Sequence, residues 1–581
     1  MATLPNWVAP SPKLANRTNA SSPIGSGEVG EFREAGLLPD LLHPVPWCRI
    51  DREQTRLAMV LAFSGGVSGG LFSDALDRAS VAASTWDPHC YVRDIFLTEF
   101  LSSCFKIRIG REDCIVATSA LVKLIASPPA DPAVVDYRRR VLASLAQSPT
   151  LRQELERLYL LLRKFRSLLE AATGIGRLDA QRRQLDILQL LKQLIDSMAT
   201  SGLARIATFG QRIQTGEPYR SLADLLTYDE HLATLDLKVR VGADGSIRGF
   251  NILSVQQNDN NPFVASPVRR WLNKFELFLR GFRFSDGEVM ARLIDAVFDG
   301  IEEEIAPLVQ LMGDLEFYLG ALGFLDMARA QGYELCLPEL VASEHPRMLV
   351  DFFNPLLFAQ NIHVVPCTIA VDRHDSTVLL TGPNSGGKTR LLQGLGLAQL
   401  LAQSGLWVPA RAASLSLAAG LVVSLIQETK LDQAEGRLGM ELLRIRELFE
   451  RLPAGAMVIL DELCSGTNPS EGEEIFELVL RMLTRLRPQT FITTHFLAFA
   501  ARLEREKKIA ELRFLQVQLG SDQQPTYQFV DGVARTSLAG QAAARLGVTG
   551  EQLMALIERN LAQQGAEHPA SDGESSGAPV R

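Results

Sequence analysis

The feature that most constrains this chain is a glycine-rich run, TGPNSGGKT, at residues 381–389. A short apolar segment typical of a strand, 376–381, comes directly before it, and a stretch with helical character, 390–403, follows. Glycines let the backbone of such a loop curl so that its N–H groups point at phosphate oxygens, and the following helix adds its positive dipole. The order of strand, G-x-x-x-x-G-K-[ST] and helix predicts a P-loop that binds ATP.

We expect the loop backbone to surround the phosphates. Lys388 would supply a positive charge to the outer phosphates, and Thr389 would offer its hydroxyl to Mg²⁺. The predicted nucleotide-binding residues are Gly382, Pro383, Asn384, Ser385, Gly386, Gly387, Lys388 and Thr389.

Two further apolar runs end in residues suited to the same chemistry. Residues 457–460 lead into Asp461 and Glu462, about seventy residues after the loop. Asp461 is predicted to hold Mg²⁺ together with Thr389, and Glu462 to polarise the attacking water. Residues 490–493 lead to His495, which is predicted to sense the γ-phosphate or orient water. The predicted catalytic residues are therefore Glu462 and His495, and the predicted cofactors are ATP and Mg²⁺.

Composition limits the other possibilities. The chain has 581 residues, a net charge of −8 and 46% hydrophobic residues, which argues against a protein that coats polyanions with its whole surface. A local basic face remains possible. The seven cysteines form no C-x-x-C pair, so a zinc site is not expected and a reducing cytosol is favoured. Glycines interrupt the longest apolar candidate, 57–72, so the sequence predicts a cytoplasmic protein without a membrane span.

The chain divides by pattern into five parts. We expect a multidomain protein with an α-helical core or lever region followed by an α/β P-loop ATPase domain. The expected parts are a disordered leader at 1–45, a mixed region at 46–130, the helical region at 131–335, the ATPase and dimerisation domain at 336–562, and a disordered tail at 563–581.

The helical region contains long apolar seams. Between Leu151 and Leu169 the apolar residues alternate spacings of four and three, and a similar rule runs from Phe298 to Leu322, where Pro307 should kink the helix. These long helices predict either an antiparallel arm or an ordinary bundle core, and the sequence leaves both open. Between them, 235–241 and 246–253 alternate apolar and polar residues around Asp244-Gly245, which predicts a β-hairpin.

Four runs together resemble the MutS family of DNA mismatch-repair and recombination ATPases. They are TGPNSGGKT at 381–389, DELCSGTNPSEG at 461–472, TTHF at 493–496 and DGVARTSLAGQAAARLGV at 531–548. The resemblance covers about 336–562. It implies an ABC/MutS-type ATPase fold, a homodimer formed through the ATPase domain, and DNA as a partner.

Three departures from the family pattern stand out. Only a short leader precedes the mixed region, so a mismatch-reading domain is not expected, and Phe32-Arg33-Glu34 is read as a chance match to the mismatch wedge. The family's serine that reaches across the dimer is absent from 425–441, and Gly436 stands at its ungapped position. Arg390 occupies the place of a second hydroxyl after the loop.

Two functions from different classes follow. The first is an ATP-dependent, DNA-binding ATPase of the MutS type that closes as a dimer without wedging mismatches. Three basic clusters favour it, at 138–140, 182–183 and 269–270. The alternative is a nucleotide-dependent switch or scaffold, with slow or no hydrolysis, that binds unidentified protein partners; Gly436 and the acidic net charge favour it. A transport ATPase is disfavoured because no LSGGQ-like signature precedes the acidic strand.

Overall fold

The computed structural model describes residues 38–66, 69–171, 177–231, 235–241, 247–255, 286–360, 362–425, 437–464, 468–535 and 546–567. Within these ranges the chain forms a helical N-terminal half and a C-terminal half of mixed helices and sheets. One continuous hydrophobic core joins the two halves.

The N-terminal half is mostly helical. Its first elements are α1 (Arg52–Phe63), α2 (Leu71–Arg78), a 3₁₀ turn (Pro88–Cys90), α3 (Leu97–Cys104), a hairpin of β1 (Ile107–Ile109) and β2 (Glu112–Cys114), and α4 (Thr118–Ile125). The longer elements that follow are α5 (Pro132–Gln147), α6 (Pro149–Glu170), α7 (Arg177–Ala199), α8 (Ala204–Thr215), α9 (Glu217–His231), the antiparallel strands β3 (Leu235–Val241) and β4 (Ile247–Val255), α10 (Asp286–Ile305) and α11 (Pro307–Ala330). The predicted hairpin is therefore confirmed, although its turn, 242–246, lies outside the described residues.

The heptad seam of α6 is buried in a helical bundle. Ser148 caps the helix by accepting the Leu151 N–H, and Pro149 occupies its first turn. Leu155, Leu158 and Leu162 are at most 1% exposed. Helix α6 runs antiparallel to α11, because Arg152 pairs with Asp326 near one end and the Tyr159 hydroxyl donates to Glu316 further along. The described parts of these helices thus form a bundle core and not a projecting arm.

Helix α11 is the centre of that bundle. Pro307 begins it, so the long apolar run is two helices that meet at Ala306, where the sequence predicted a kink in one. By length and composition α11 could cross a membrane, but 89% of its most apolar window is buried inside the protein. The same signal comes from the core helix of a folded domain.

The leader and the mixed region belong to the same core. The sequence placed the end of a disordered leader at residue 45, yet Leu41 and Leu42 are buried, and the Leu41 N–H donates to the Asp314 carboxylate at 2.8 Å. Helices α2, α3 and α4 pack on α11 as well, so no packing boundary separates 46–130 from the helical region. Residues 1–37, including Phe32-Arg33-Glu34, lie outside the described residues.

The C-terminal half contains two sheets. Its elements are β5 (Glu339–Leu340), β6 (Arg347–Phe352), α12 (Pro355–Ala359), β7 (Cys367–Val371), β8 (Thr377–Thr381), α13 (Lys388–Gln403), β9 (Ala412–Leu415), β10 (Leu421–Ser424), α14 (Arg437–Arg451), β11 (Met457–Leu460), α15 (Pro469–Leu486), β12 (Gln489–Thr493), α16 (Leu497–Glu506), β13 (Leu512–Leu519), β14 (Pro525–Asp531) and α17 (Gly550–Glu567). Helix α17 continues five residues past the expected domain end at 562, and 568–581 lie outside the described residues.

The larger sheet has the strand order β10-β11-β12-β8-β13-β14, and only β14 is antiparallel to its neighbour. Its central strands, β11, β12 and β8, are buried on both faces. Along β11, Met457 and Ile459 face the main core, whereas Val458 and Leu460 face a second cluster formed with α14, α15 and α16. The smaller sheet, β5-β9-β6-β7, packs beside it through β7 and β14.

Within the described residues, the basic clusters form less exposed surface than the sequence suggested: Arg140 and Arg182 are exposed, whereas the other arginines of 138–140 and 182–183 are buried or half-buried. Arg138 is fully buried; its Nε donates to the Leu42 carbonyl at 3.1 Å, and its guanidinium lies over the Phe317 ring. Burial lowers the pKa of Arg138 to about 10. Arg139 pairs with Asp136 and also donates to a backbone carbonyl. Arg183 donates to carbonyls of α1 and α6, and 269–270 lie outside the described residues.

We predict that Arg138→Ala lowers the free energy of unfolding by about 3–5 kcal/mol, because it leaves a cavity in the core and removes the donor to the buried Leu42 carbonyl. The neighbouring exposed Arg140 provides a matched control, and Arg140→Ala should change stability by no more than about 0.5 kcal/mol. Urea unfolding followed by circular dichroism measures both. Equal, small effects of the two substitutions would contradict this placement of Arg138.

Candidate active site

The glycine loop has a backbone that side chains would disfavour. Gly382 has φ +139° and Gly387, directly before α13, has φ +82°. A Cβ on Gly382 would also stand 2.7 Å from a methyl carbon of Val517. The loop is therefore pressed against β13, and its glycines are required both by conformation and by space.

Lys388 lies beneath this loop. Its side chain is 3% exposed, and Nζ donates to the carbonyls of Gly382 and Pro383 at 2.9 and 3.0 Å. Burial lowers the pKa of the Lys388 ammonium, and the carboxylates of Asp461 and Glu462 oppose that shift. Two loop carbonyls thus hold the Lys388 ammonium inside the loop, from where it can donate to a bound phosphate.

Three parallel strands bring the predicted residues to one edge of the sheet. Strand β12 lies between β8 and β11, so their carboxyl ends are neighbours. The Thr389 hydroxyl donates to Asp461 Oδ2 at 2.6 Å. Thr493 donates to the other carboxylate oxygen of Asp461. Asp461 therefore has a fixed orientation toward the start of α13.

Thr389 and Asp461 fit a magnesium ion. Mg²⁺ takes oxygen ligands at about 2.1 Å in octahedral geometry, so neighbouring ligand oxygens lie about 3 Å apart, and it is usually held by one or two carboxylates plus phosphates and water. The described residues contain no group of three or more His, Cys, Asp or Glu side chains arranged for a metal. A hydroxyl and a carboxylate side by side match the sparse protein ligation that Mg²⁺ accepts.

Glu462 and His495 form a close pair beside Asp461. Glu462 Oε1 lies 2.5 Å from His495 Nε2, and each side chain is about one-third exposed. Glu462 has φ +54°, a conformation that is unfavourable for a non-glycine residue, and its N–H is held by Thr493 Oγ1 at 2.8 Å. The sharp turn after β11 therefore directs the Glu462 carboxylate across to the end of β12, where His495 orients it.

A cavity of about 490 Å³ adjoins the loop and the first turn of α13. Its walls are largely apolar and aromatic, and its volume lies in the range of small-molecule sites. Lining residues include Phe353, Val364, Asn384, Arg390, Tyr527 and Phe529. The Tyr527 ring stands directly over Gly387 and is 45% exposed, so it offers a face to a planar ring bound next to the loop.

The structure places all of the predicted site residues around this edge, with Asn384, Ser385 and Thr389 exposed at its rim. Their functional roles remain predictions. Gly436 and Gly466-Thr467 lie outside the described residues. Arg390 is exposed in the wall of the cavity, where its guanidinium donates to Gln393.

The sequence did not predict the roles of several residues of the site. Thr493 is the first residue of the TTHF run, but nothing in that run predicts that it bridges Asp461 and Glu462. Asn354 caps α12 and donates to the Arg390 carbonyl at 2.9 Å, which ties the smaller sheet to the first turn of α13. Tyr527 lies about 140 residues from the loop in sequence, and only the packing of the β13–β14 hairpin brings it there.

The fold and the site define a mixed helix and sheet protein with a glycine loop and two acidic residues at one sheet edge. Comparison with known families is consistent with that class: the model of MutS domain V matches residues 378–563. A protein named Endonuclease MutS2 from Thermus thermophilus is 35% identical over 240 residues, which are 40% of this chain and 31% of that protein. Proteins of the same name from Gemmatimonas aurantiaca and Streptococcus thermophilus are 30% and 28% identical over 262 and 272 residues, covering 32% and 33% of their lengths.

The C-terminal region of this chain is therefore similar to MutS domain V and to the proteins named Endonuclease MutS2. The matched part spans about a third of the length of these curated relatives.

Proposed function

We propose that this chain is an ATP-dependent DNA-binding protein of the MutS type, in which ATP binding and hydrolysis drive closure of a homodimer on DNA. The observation that carries the proposal is the contact of Thr389 with Asp461 at 2.6 Å, beside the Glu462–His495 pair and the glycine loop. The similarity to MutS domain V and to proteins named Endonuclease MutS2 supports the DNA-related part. Endonuclease activity belongs to the names of the relatives and is not part of the proposal.

The chemistry assigned to the site is electrostatic and positional. The inward N–H groups of the loop and the Lys388 ammonium would bind the β- and γ-phosphates, while the cavity beside Tyr527 would take the base. Thr389 and Asp461 would hold Mg²⁺, which neutralises charge on the phosphates when bound. The Glu462 carboxylate would accept a proton from water aimed at the γ-phosphate, and His495 would keep that carboxylate in position.

The homodimer is proposed to form through the ATPase domain and α17. Every residue of α17 from Gly550 to Leu561 is exposed. Its large apolar residues, 42–62% exposed, are Leu553, Met554, Leu556, Ile557 and Leu561. Apolar surface of this kind is typical of an association site, and a second copy is the occupant that the family resemblance implies. Cytoplasmic localisation remains part of the proposal, as an expectation from composition.

We predict that Lys388→Ala lowers the affinity for an ATP analogue by about 10²-fold, because charge-assisted bonds to the phosphates are lost. Fluorescence titration with a labelled ATP analogue and Mg²⁺ measures this. Lys508→Ala removes an exposed lysine far along the chain and should leave the affinity unchanged. Unchanged affinity in Lys388→Ala would exclude the loop as the phosphate site.

DNA contact is proposed on the surface shared by the β1–β2 hairpin and α6. Arg163 of α6 donates to the carbonyl of Ile115, directly after β2, so the two elements are adjacent. Exposed cations lie on both, namely Lys106, Arg111, Arg157 and Lys164. Such a surface binds phosphates without reading sequence. Its affinity for DNA falls as the salt concentration rises, because the release of counterions from DNA then contributes less to binding.

We predict that the double variant Arg157→Glu/Lys164→Glu weakens binding to a plain duplex at low salt by at least about tenfold. Arg446→Glu/Arg505→Glu makes the same change in net charge on α14 and α16 and should bind like wild type.

The affinities of the wild type for matched and mismatched duplexes should agree within about threefold, roughly 0.6 kcal/mol, because the proposal includes no mismatch wedge. A clear preference for the mismatch would overturn that last point.

A nucleotide-dependent switch that binds protein partners is the second candidate. The observation that favours it is the burial of Arg138 and the internal bonding of Arg139 and Arg183, which removes cations once expected to contact DNA. Failure of the wild type to bind duplex DNA at low salt, with nucleotide binding intact, would select this candidate.

A further inference from the structure

An N-terminal segment packs along the outer edge of the larger sheet. This edge segment, residues 85–95, runs alongside β10, which is the terminal strand of that sheet. The Thr85 hydroxyl donates to the carbonyl of Ala419, and Trp86 Nε1 donates to that of Ala418, just before β10 begins. The edge segment thereby covers a strand edge that would otherwise be open.

At the other end of β10 the edge segment contacts the backbone through the side chain of Asp94. The Asp94 carboxylate accepts the Leu425 N–H at 2.6 Å. The same peptide group also has a carbonyl, that of Ser424, which accepts the Asp461 N–H at 3.0 Å. One peptide unit therefore connects the Asp94 carboxylate to the backbone of the predicted magnesium ligand.

Asp94 is also close to the helix that follows the glycine loop. Its carbonyl lies 3.5 Å from Gln393 Nε2 in the first turns of α13. The next residue, Ile95, is fully buried against α13 at Gly396, where an added Cβ would stand only 2.9 Å from the Ile95 side chain. Asp94 thus contacts both the end of β10 and α13, and with Ile95 it holds α13 one to two turns after Thr389.

We propose that Asp94 is a positioning residue of the nucleotide site, which sets the distance between Asp461 and Thr389 from outside the ATPase domain. An ionised carboxylate that accepts a backbone N–H makes a strong, directional contact. Small displacements of groups that orient a reacting centre reduce turnover far more than they reduce binding. The inference rests on the proposed function, since it concerns the same site.

The substitutions separate geometry from charge. Asp94→Ala removes the acceptor, Asp94→Glu keeps the charge but moves the carboxylate by one methylene, and Asp94→Asn keeps an acceptor oxygen at the original place. We expect kcat for Mg²⁺-ATP to fall about 10- to 100-fold in Asp94→Ala and Asp94→Glu, and to stay within about threefold of wild type in Asp94→Asn. The affinity for ATP without Mg²⁺ should change less than about threefold in all of them.

A second readout does not depend on turnover. The ratio of ATP-analogue affinities with and without Mg²⁺ reports how strongly Thr389 and Asp461 bind the ion. This ratio should decrease several-fold in Asp94→Ala and Asp94→Glu only. Asp87 is the matched control: it caps the 3₁₀ turn of the same edge segment by accepting the His89 N–H at 3.1 Å. Asp87→Ala should leave both the ratio and kcat unchanged.

The outcomes are distinguishable. If the wild type turns over ATP and Asp94→Ala has the same kcat and the same Mg²⁺ ratio, the inference is overturned and the proposed function stands. Circular dichroism shows whether Asp94→Ala folds. If it does not fold, a wild-type kcat and Mg²⁺ ratio in Asp94→Glu overturn the inference instead. Absence of wild-type turnover above that of Lys388→Ala overturns the proposed function and the inference together. Loss of kcat in all three Asp94 variants, with an unchanged Mg²⁺ ratio, would mean that Asp94 supports the fold and does not position the site.

Discussion

The burial of helix α13 is the constraint on which the rest of this structure depends. Apart from Thr389 and Arg390, every residue from Lys388 to Gln403 is buried. Burial of one leucine side chain stabilises a fold by about 1.5–3 kcal/mol, and this helix buries several of them between the larger sheet and the helical half. At its C-terminal end, Gly405 has φ +79°, and an added Cβ would stand 2.8 Å from that of Arg138. The position of the glycine loop is thus fixed by contacts from both halves of the protein.

This constraint explains which parts of the fold were predictable. Strands β8 and β11 and helix α13 have short-range sequence signals, namely apolar runs, the glycine pattern of the loop and a stretch with helical character. They were predicted nearly to the residue. The edge that brings Asp461, Glu462 and His495 together follows from parallel strand order. The residues that hold these side chains come from distant parts of the chain. No local pattern marks Tyr527 or Asp94, and the TTHF run that contains Thr493 does not predict its contacts with Asp461 and Glu462.

The basic clusters show the opposite case, in which a local pattern was misleading. Three consecutive arginines at 138–140 suggest a solvated or DNA-facing surface, but the helical period turns Arg138 inward while Arg140 remains exposed. Arg138 is stabilised there by the Leu42 carbonyl, from a segment that the sequence assigned to a disordered leader. Both errors have one cause, since the partner that makes an apolar leader segment or a buried arginine favourable is visible only in the packed structure.

In the proposed site, contacts from the helical half set the geometry for hydrolysis, and Glu462 is the group that activates water. Single-turnover hydrolysis of bound Mg²⁺-ATP, by rapid mixing and acid quench, tests this most directly when Glu462→Gln and the exposed-glutamate control Glu474→Gln are compared with wild type. The account predicts that Glu462→Gln binds ATP within about threefold of wild type but converts it at least about 10²-fold more slowly, while Glu474→Gln behaves as wild type. Conversion by Glu462→Gln at the wild-type rate would contradict it.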